Sequence, residues 1–284
     1  MKRRIVILSA VVVLLAITFV PALAITNGQP DGTAHPYVGL LVFDVDPGTP
    51  GCPPGGGPCW RCSGALLSDT VVLTAGHCTD GAVAARLWVD EKVQVNPEYP
   101  GSGATSYEGI PHTNDDFCIG CGNGLPGFAT GDVGIIVLSE PVPVSVVGTY
   151  AALPAAGLVD TLRNKAPVDF VGYGVQNILR GKDIPPQGGP PGYWTGLRNR
   201  FYAPSELVSG KFVHSDEFMR FALNASQGSG GTCFGDSGGP DLLAGTDTVL
   251  AVNSYVTNYN CSGVGYSQRV DTPDVLAWIN SFLP

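Results

Sequence analysis

Apolar residues in this chain fall into short runs. Tyr37–Phe43 ("YVGLLVF"), Val71–Ala75 ("VVLTA"), Gly134–Glu140 ("GIIVLSE"), Val168–Gly174 ("VDFVGYG") and Val249–Val256 ("VLAVNSYV") are rich in β-branched and aromatic side chains. Their length and composition predict strands. Glycine and proline, 39 and 24 of them, punctuate the runs as turn formers do. Helical periodicity is absent until "TPDVLAWINSFLP". There Thr272 stands where a cap belongs and Pro273 in a first turn, while Val275, Leu276, Trp278, Ile279 and Phe282 form one apolar face. Many short strands and one terminal helix predict an all-β barrel or sandwich. Two Gly/Pro-rich stretches, Asp46–Pro58 and Ile184–Gly196, read as exposed loops, and no internal repeat is visible.

One apolar run is of a different kind. Lys2, Arg3 and Arg4 precede an uncharged stretch from Ile5 to Val20, then Pro21 and Ala22-Leu23-Ala24. That is the layout of a secretory signal with an A-x-A cleavage site. A run of about 20 residues could instead anchor in a bilayer, but the small-residue ending favours cleavage. The paired arginines raise twin-arginine export, for which the strongly apolar run is a poorer fit than general secretion. Residues 1–24 are therefore expected to be removed, leaving 260 residues, enough for one large domain or two small ones.

Composition then excludes partners. The signal holds three of the fifteen Lys and Arg residues, so the remainder carries 12 against 24 Asp and Glu, a formal charge of −12. No basic stripe is left to hold phosphates, so no nucleic-acid partner is expected. No second apolar segment reaches spanning length, so no membrane association is expected after cleavage. All eight cysteines follow the signal. An even number in a secreted chain reads as disulfides, with 105 possible pairings.

The candidate chemistry lies in Gly231–Leu243, "GTCFGDSGGPDLL", where four glycines surround Ser237. A serine nucleophile needs a base within hydrogen-bond reach, and the base needs a partner to fix its tautomer. "GDSGG" also satisfies the G-x-S-x-G elbow of α/β-hydrolases, whose order is Ser, acid, His. No histidine follows Ser237, so that reading fails. Of His35, His77, His112 and His214, only His77 closes a strand-like run and stands beside a cysteine, in "TAGHC". Asp132 opens another run, in "GDVGIIVL".

With "TAGHC", "GDVGIIVL" and "GDSGGP" in that order, the chain from Ile25 to Trp278 resembles the trypsin/chymotrypsin family of serine proteases. The resemblance implies two six-stranded antiparallel β-barrels with the active site between them. Residues 25–150 would form the first barrel, carrying His77 and Asp132, and residues 151–284 the second, carrying Ser237 and the terminal helix. Ser237 would be nucleophile, His77 general base and then acid, and Asp132 the orienting carboxylate. The N–H groups of Gly235 and Ser237 would form the oxyanion hole. "ITNGQPDGTAHPYVGLL" resembles the family's mature N-terminus, so the α-amino group of Ile25 would pair with Asp236. No propeptide lies between Ala24 and Ile25, so signal cleavage itself would activate the enzyme.

The same resemblance implies Cys62–Cys78 and Cys233–Cys261 bridges. For Cys52, Cys59, Cys118 and Cys121 three pairings stay open, with Cys52–Cys59 and Cys118–Cys121 the simplest. A zinc site using "CIGC" and His112 is the alternative; no metal or other cofactor is expected. By position, Gly231 stands at the pocket floor where trypsin-type enzymes carry aspartate. Thr232, Ser254, Tyr255 and Val256 follow along the pocket, and Gly265 on its far wall. An uncharged pocket for small or medium apolar residues is expected, large aromatics being the rival. The expected protein is a secreted, monomeric endopeptidase acting on protein or peptide substrates. The competing readings are an inactive homologue used for binding, a serine esterase on the same fold, and a structural disulfide-rich protein.

Overall fold

The computed structural model describes residues 25–26, 28–121, 129–175, 177–179, 193–195, 198–209, 216–224, 229–258 and 260–284. Its strands are β1 (Gln29–Pro30), β2 (Val38–Val45), β3 (Gly57–Leu66), β4 (Val71–Thr74), β5 (Ala84–Trp88) and β6 (Ser106–Thr113), then β7 (Cys118–Ile119), β8 (Ala129–Thr130) and β9 (Gly134–Leu138). They continue with β10 (Pro167–Gly172), β11 (Asn177–Leu179), β12 (Tyr193–Thr195), β13 (Phe201–Ser209), β14 (Phe218–Leu223), β15 (Pro240–Leu243), β16 (Val249–Val256) and β17 (Gly263–Arg269). Each of the five apolar runs coincides with a strand to within two residues at either end. The last helix spans Pro273–Asn280 with Thr272 before it.

Two closed six-stranded antiparallel barrels result. The first runs β2-β3-β4-β9-β6-β5 and closes back on β2. The second runs β13-β10-β15-β16-β17-β14 and is closed by β13 pairing with β14; β1 adds outside, on β13. Closure leaves neither barrel an open edge for another chain to pair with. β2 is buried along nearly its whole length, because its inward face fills the barrel and its outward face is covered.

One apolar cluster fills the first barrel around Tyr37, Phe43 and Trp88. It continues through Val171 and Val252 into the seam and reaches Val275 and Ile279 of the terminal helix. A second cluster, with Ile25, Phe170, Phe221 and Leu223, fills the second barrel. A buried arginine also crosses the seam. Arg200 Nε donates to Asp31 Oδ2 at 2.7 Å, Nη1 to the Val38 and Val89 carbonyls, and Nη2 to the Gly32 carbonyl at 3.0 Å. A buried guanidinium is tolerable only when paired in this way.

The loops differ in part from the reading of the sequence. Asp46–Pro58 is a loop only to Gly56, because Gly57 pairs with Val45 and begins β3. Within Ile184–Gly196, Tyr193–Thr195 pairs with Asn177–Leu179 as a short hairpin; the rest lies outside the described residues. So do residues 1–24, and among the described residues no helix is long and apolar enough to cross a membrane.

Candidate active site

His77 is carried on a single helical turn, Gly76–Thr79, that follows β4 directly. Its neighbour Cys78 is bridged to Cys62 on β3, so the turn is fixed to the barrel wall. Asp132 lies two residues before β9 and is fully buried. Its N–H donates to Gln268 Oε1 on β17 at 3.1 Å, which ties the aspartate to the second barrel.

The two side chains are locked together. The His77 backbone N–H donates to Asp132 Oδ1 at 2.7 Å, and His77 Nδ1 lies 2.9 Å from Oδ2. The Ser254 hydroxyl donates to the same Oδ2. Burial alone would lower the His77 pKa, but the charge and hydrogen bond of Asp132 outweigh it and hold the imidazole above its usual value. Burial alone would raise Asp132; His77 and the Ser254 hydroxyl hold it below the usual carboxylate value. A partner on Nδ1 fixes the tautomer and leaves Nε2 to act.

Ser237 and His77 both line one cavity of about 230 Å³. No hydrogen bond joins the Ser237 hydroxyl to His77 among the described residues. Thr232, Ser254, Tyr255 and Val256 also line the cavity, and among the described residues no Asp, Glu, Lys or Arg does. Gly231 and Gly265 are not part of its lining. Tyr255 stacks on Tyr266 with centroids 4.8 Å apart, which stiffens that wall.

The turn before Ser237 depends on glycine. Gly235 has φ +96° and Gly238 φ +74°, a region that favours glycine, and a Cβ on Gly238 would meet Thr74 Oγ1 at 2.0 Å. Around Gly235 both peptide groups are anchored. The Phe234 carbonyl accepts from Val175 N at 2.9 Å, and the Gly235 carbonyl accepts from Ser63 Oγ at 3.0 Å. A trans peptide points its N–H opposite to its C=O, so the first contact sets the direction of the Gly235 N–H. Neither the Gly235 nor the Ser237 N–H donates to another described residue.

Ser63 had no signal in the sequence beyond standing beside Cys62. Fully buried on β3, its Oγ also accepts from Tyr173 N at 3.0 Å, and its own N–H donates to the Ser237 carbonyl at 2.8 Å. One first-barrel residue thus makes three hydrogen bonds to two segments of the second-barrel site, the turn at Gly235–Ser237 and the backbone at Tyr173.

Asp236 is fully buried, its Oδ1 accepting from Gly174 N at 2.8 Å and its Oδ2 from Cys233 N at 2.9 Å. Burial pushes its carboxyl up to about 7, against these two donors. Among the described residues no cation pairs with it. Ile25 is also fully buried, in the second cluster. Its neighbour Thr26 is bridged to Gly231, five residues before Asp236, by Gly231 N donating to the Thr26 carbonyl at 2.9 Å.

The disulfides are Cys52–Cys59, Cys62–Cys78, Cys118–Cys121 and Cys233–Cys261. Cys118 and Cys121 therefore have no thiolate for zinc, and His112 packs against Phe282, ring centroids 5.0 Å apart. Cys62, Cys78 and His77 also cluster, but both sulfurs are spent in their bridge. His35 is held by Asp31 Oδ1 at 2.6 Å; His214 lies outside the described residues.

Comparison with known proteins returns one family. The family model described as Trypsin matches residues 55–279. Venom serine protease Bi-VSP of Bombus ignitus is 24% identical over 255 residues, covering 80% of this chain and 58% of that protein. Serine protease 1 of Drosophila melanogaster is 34% identical over 84 residues, covering 28% of this chain and 27% of that protein. The alignments thus span little more than half of the first relative's length and about a quarter of the second's. Among solved structures, an HL collagenase matches with a TM-score of 0.66 at 18% identity, over 90% of this chain and 96% of that one. That match carries the fold.

Proposed function

The chain belongs to the trypsin family, and from that premise we propose that it is a secreted serine endopeptidase working through His77, Asp132 and Ser237. The observation that carries the reading is the relay geometry. Asp132 engages Nδ1 of His77, while His77 and Ser237 line one cavity beside two N–H groups that have no described partner.

In this reading His77 Nε2 takes the hydroxyl proton as Ser237 Oγ attacks the scissile carbonyl carbon. Negative charge moves onto the carbonyl oxygen, where the Gly235 and Ser237 N–H groups receive it. Such a donor contributes about 3–4 kcal/mol. The imidazolium, stabilised by buried Asp132, then gives its proton to the leaving amine nitrogen. The C–N bond breaks and an ester to Ser237 remains. Water attacks that ester with His77 again as base, releasing the acid and restoring the hydroxyl.

The uncharged cavity lining supports a preference for small or medium apolar residues before the scissile bond. Residues 1–24 fit an export signal, and the four disulfides suit an oxidising compartment. Release of p-nitroaniline from alanine- and valine-ending peptide anilides tests the reading. Steady release by the protein and none by Ser237→Ala is expected; a folded protein beginning at Ile25 that releases nothing would overturn it.

A further inference from the structure

The cavity beside Ser237 ends before it reaches two glycines that a deep pocket should expose. Thr232 lines it, but the preceding Gly231 does not, and neither does Gly265 on β17. Leu223, the last residue of β14, lies against both. A Cβ built on Gly231 would stand 2.9 Å from the Leu223 Cβ and 3.2 Å from its Cδ2. One built on Gly265 would stand 3.0 Å from Cδ1, 3.2 Å from Cδ2 and 3.3 Å from Cγ. Leu223 is not itself part of the cavity's lining. Its side chain, with Thr26 Oγ1, which a Cβ on Gly231 would also meet at 2.9 Å, fills the space behind that lining where the two missing side chains would stand.

Register explains how it gets there. Phe221 pairs with Gly265 and Leu223 with Gly263 across β14 and β17. Residues two apart on a strand share a face, and Met219, Phe221 and Leu223 all enter the second barrel's core. Leu223 is 2% exposed and belongs to the same cluster as Ile25, so it is braced from behind. Val256 also lines the cavity and adds a branched apolar side chain to it. About 230 Å³ is below the roughly 300–1,000 Å³ of ordinary ligand pockets.

We propose that Leu223 is the specificity-determining residue of this site, a plug that limits the residue before the scissile bond to the size of alanine or valine. The assignment rests on the endopeptidase reading above and deepens it. Leucine and phenylalanine would have to enter volume that Leu223 fills, and a well-packed core does not yield without strain. Arginine and lysine would meet the same plug and, among the described lining residues, no carboxylate.

The test compares peptide anilides that differ only in that residue (Gly, Ala, Val, Leu, Phe, Arg) on the wild type, Leu223→Ala and Leu223→Val. Each protein is first checked for thermal unfolding and for labelling by a fluorophosphonate. The wild type should favour Ala and Val over Leu and Phe by at least about tenfold in kcat/KM, since a single methylene in an apolar pocket is worth about 10–200-fold. Leu223→Ala should raise the Phe-to-Ala ratio by about tenfold or more. Leu223→Val, a milder change kept in case the alanine variant does not fold, should raise the Leu-to-Ala ratio in the same direction. A wild type that cuts after Phe as well as after Ala overturns the assignment, as does a labelled, folded variant with an unchanged profile. A folded wild type that is neither labelled nor active overturns the endopeptidase reading, and this assignment with it.

Discussion

Ser63 Oγ donates a 3.0 Å hydrogen bond to the carbonyl of Gly235, 172 residues further along the chain. With Tyr173 N donating to the same Oγ at 3.0 Å, a side chain of the first barrel fixes the turn that shapes the second barrel's half of the site. Ser63→Ala would leave the buried Tyr173 N–H unpaired, at about 1–3 kcal/mol, and the part-buried Gly235 carbonyl without its protein donor. With the Gly235 peptide loosened, kcat should fall about 10- to 100-fold, part of the 10²–10³ that losing a whole oxyanion donor costs. KM should stay within about twofold. Affinity for a peptide boronate, which mimics the tetrahedral species, should fall with kcat while affinity for the product peptide does not. A variant that merely melts earlier, with kcat per labelled site intact, would make Ser63 a structural residue only.

In the proposed relay, the coupling of His77 to Asp132 sets the acid limb of activity. The base must be neutral to accept a proton, and its pKa is raised above 6.5. Activity should therefore rise with pH through a midpoint above 6.5 in kcat/KM. Asp132→Asn should shift that limb toward acid and lower kcat on the order of 10⁴-fold, the size known for this substitution in a Ser-His-Asp triad. A midpoint unchanged in Asp132→Asn would remove Asp132 from this role.

Asp236 makes the N-terminus testable by pH. Without a cation its carboxyl titrates at about 7 rather than 3.8. The folded state then holds the proton more tightly than the unfolded chain. Stability is complete below pH 3.8 and lost as pH rises through 7, on the order of 4 kcal/mol at about 1.36 kcal/mol per unit. A protein carrying residues before Ile25 should show that loss in its Tm. One beginning at Ile25 should not, because its α-amino group keeps Asp236 charged, and the carboxylate in turn holds that amine protonated above its usual range. Asp236→Asn should flatten both curves. Identical profiles for the two forms would exclude the Ile25–Asp236 pair.

Asp241 is the least comfortable residue in the second barrel. It is fully buried in β15, and neither carboxyl oxygen completes a hydrogen bond among the described residues. Burial drives its carboxyl well above the usual range, the nearby Ser267 hydroxyl opposing this and the Asp236 carboxylate adding to it. The sign is that of Asp236: stability is lost as pH rises above 3.8. Asp241→Asn should leave Tm nearly unchanged at pH 4 and raise it by several degrees at pH 8. An equal or negative effect at both values would show that the acid is compensated.

Much of this was legible in the chain because it is local. "VVLTAGHC" is a strand, a turn and the turn's histidine, and "GDSGG" is a turn whose glycines at 235 and 238 take positive φ. "TPDVLAWIN" announces its own helix. Residues whose meaning depends on contacts far along the chain were silent. Ser63 reads as an ordinary strand serine until Gly235 and Tyr173 are folded against it. Leu223 reads as a core leucine until Gly231 and Gly265 are brought to either side. Asp241, one residue beyond "GDSGGP", reads as a solvated acid until β10 and β16 cover it. The residues expected along the pocket divide accordingly: Thr232, Ser254, Tyr255 and Val256 line the cavity, whereas Gly231 and Gly265 do not, and Leu223 lies beside both.

The most direct measurement is the intact mass of the protein, recovered from the medium of the cells that make it, before and after a fluorophosphonate. The account requires a mass beginning at Ile25 and a single adduct, absent in Ser237→Ala and strongly slowed in His77→Ala. A folded protein of that mass that takes no adduct would contradict it, and would make a secreted binding protein the better description.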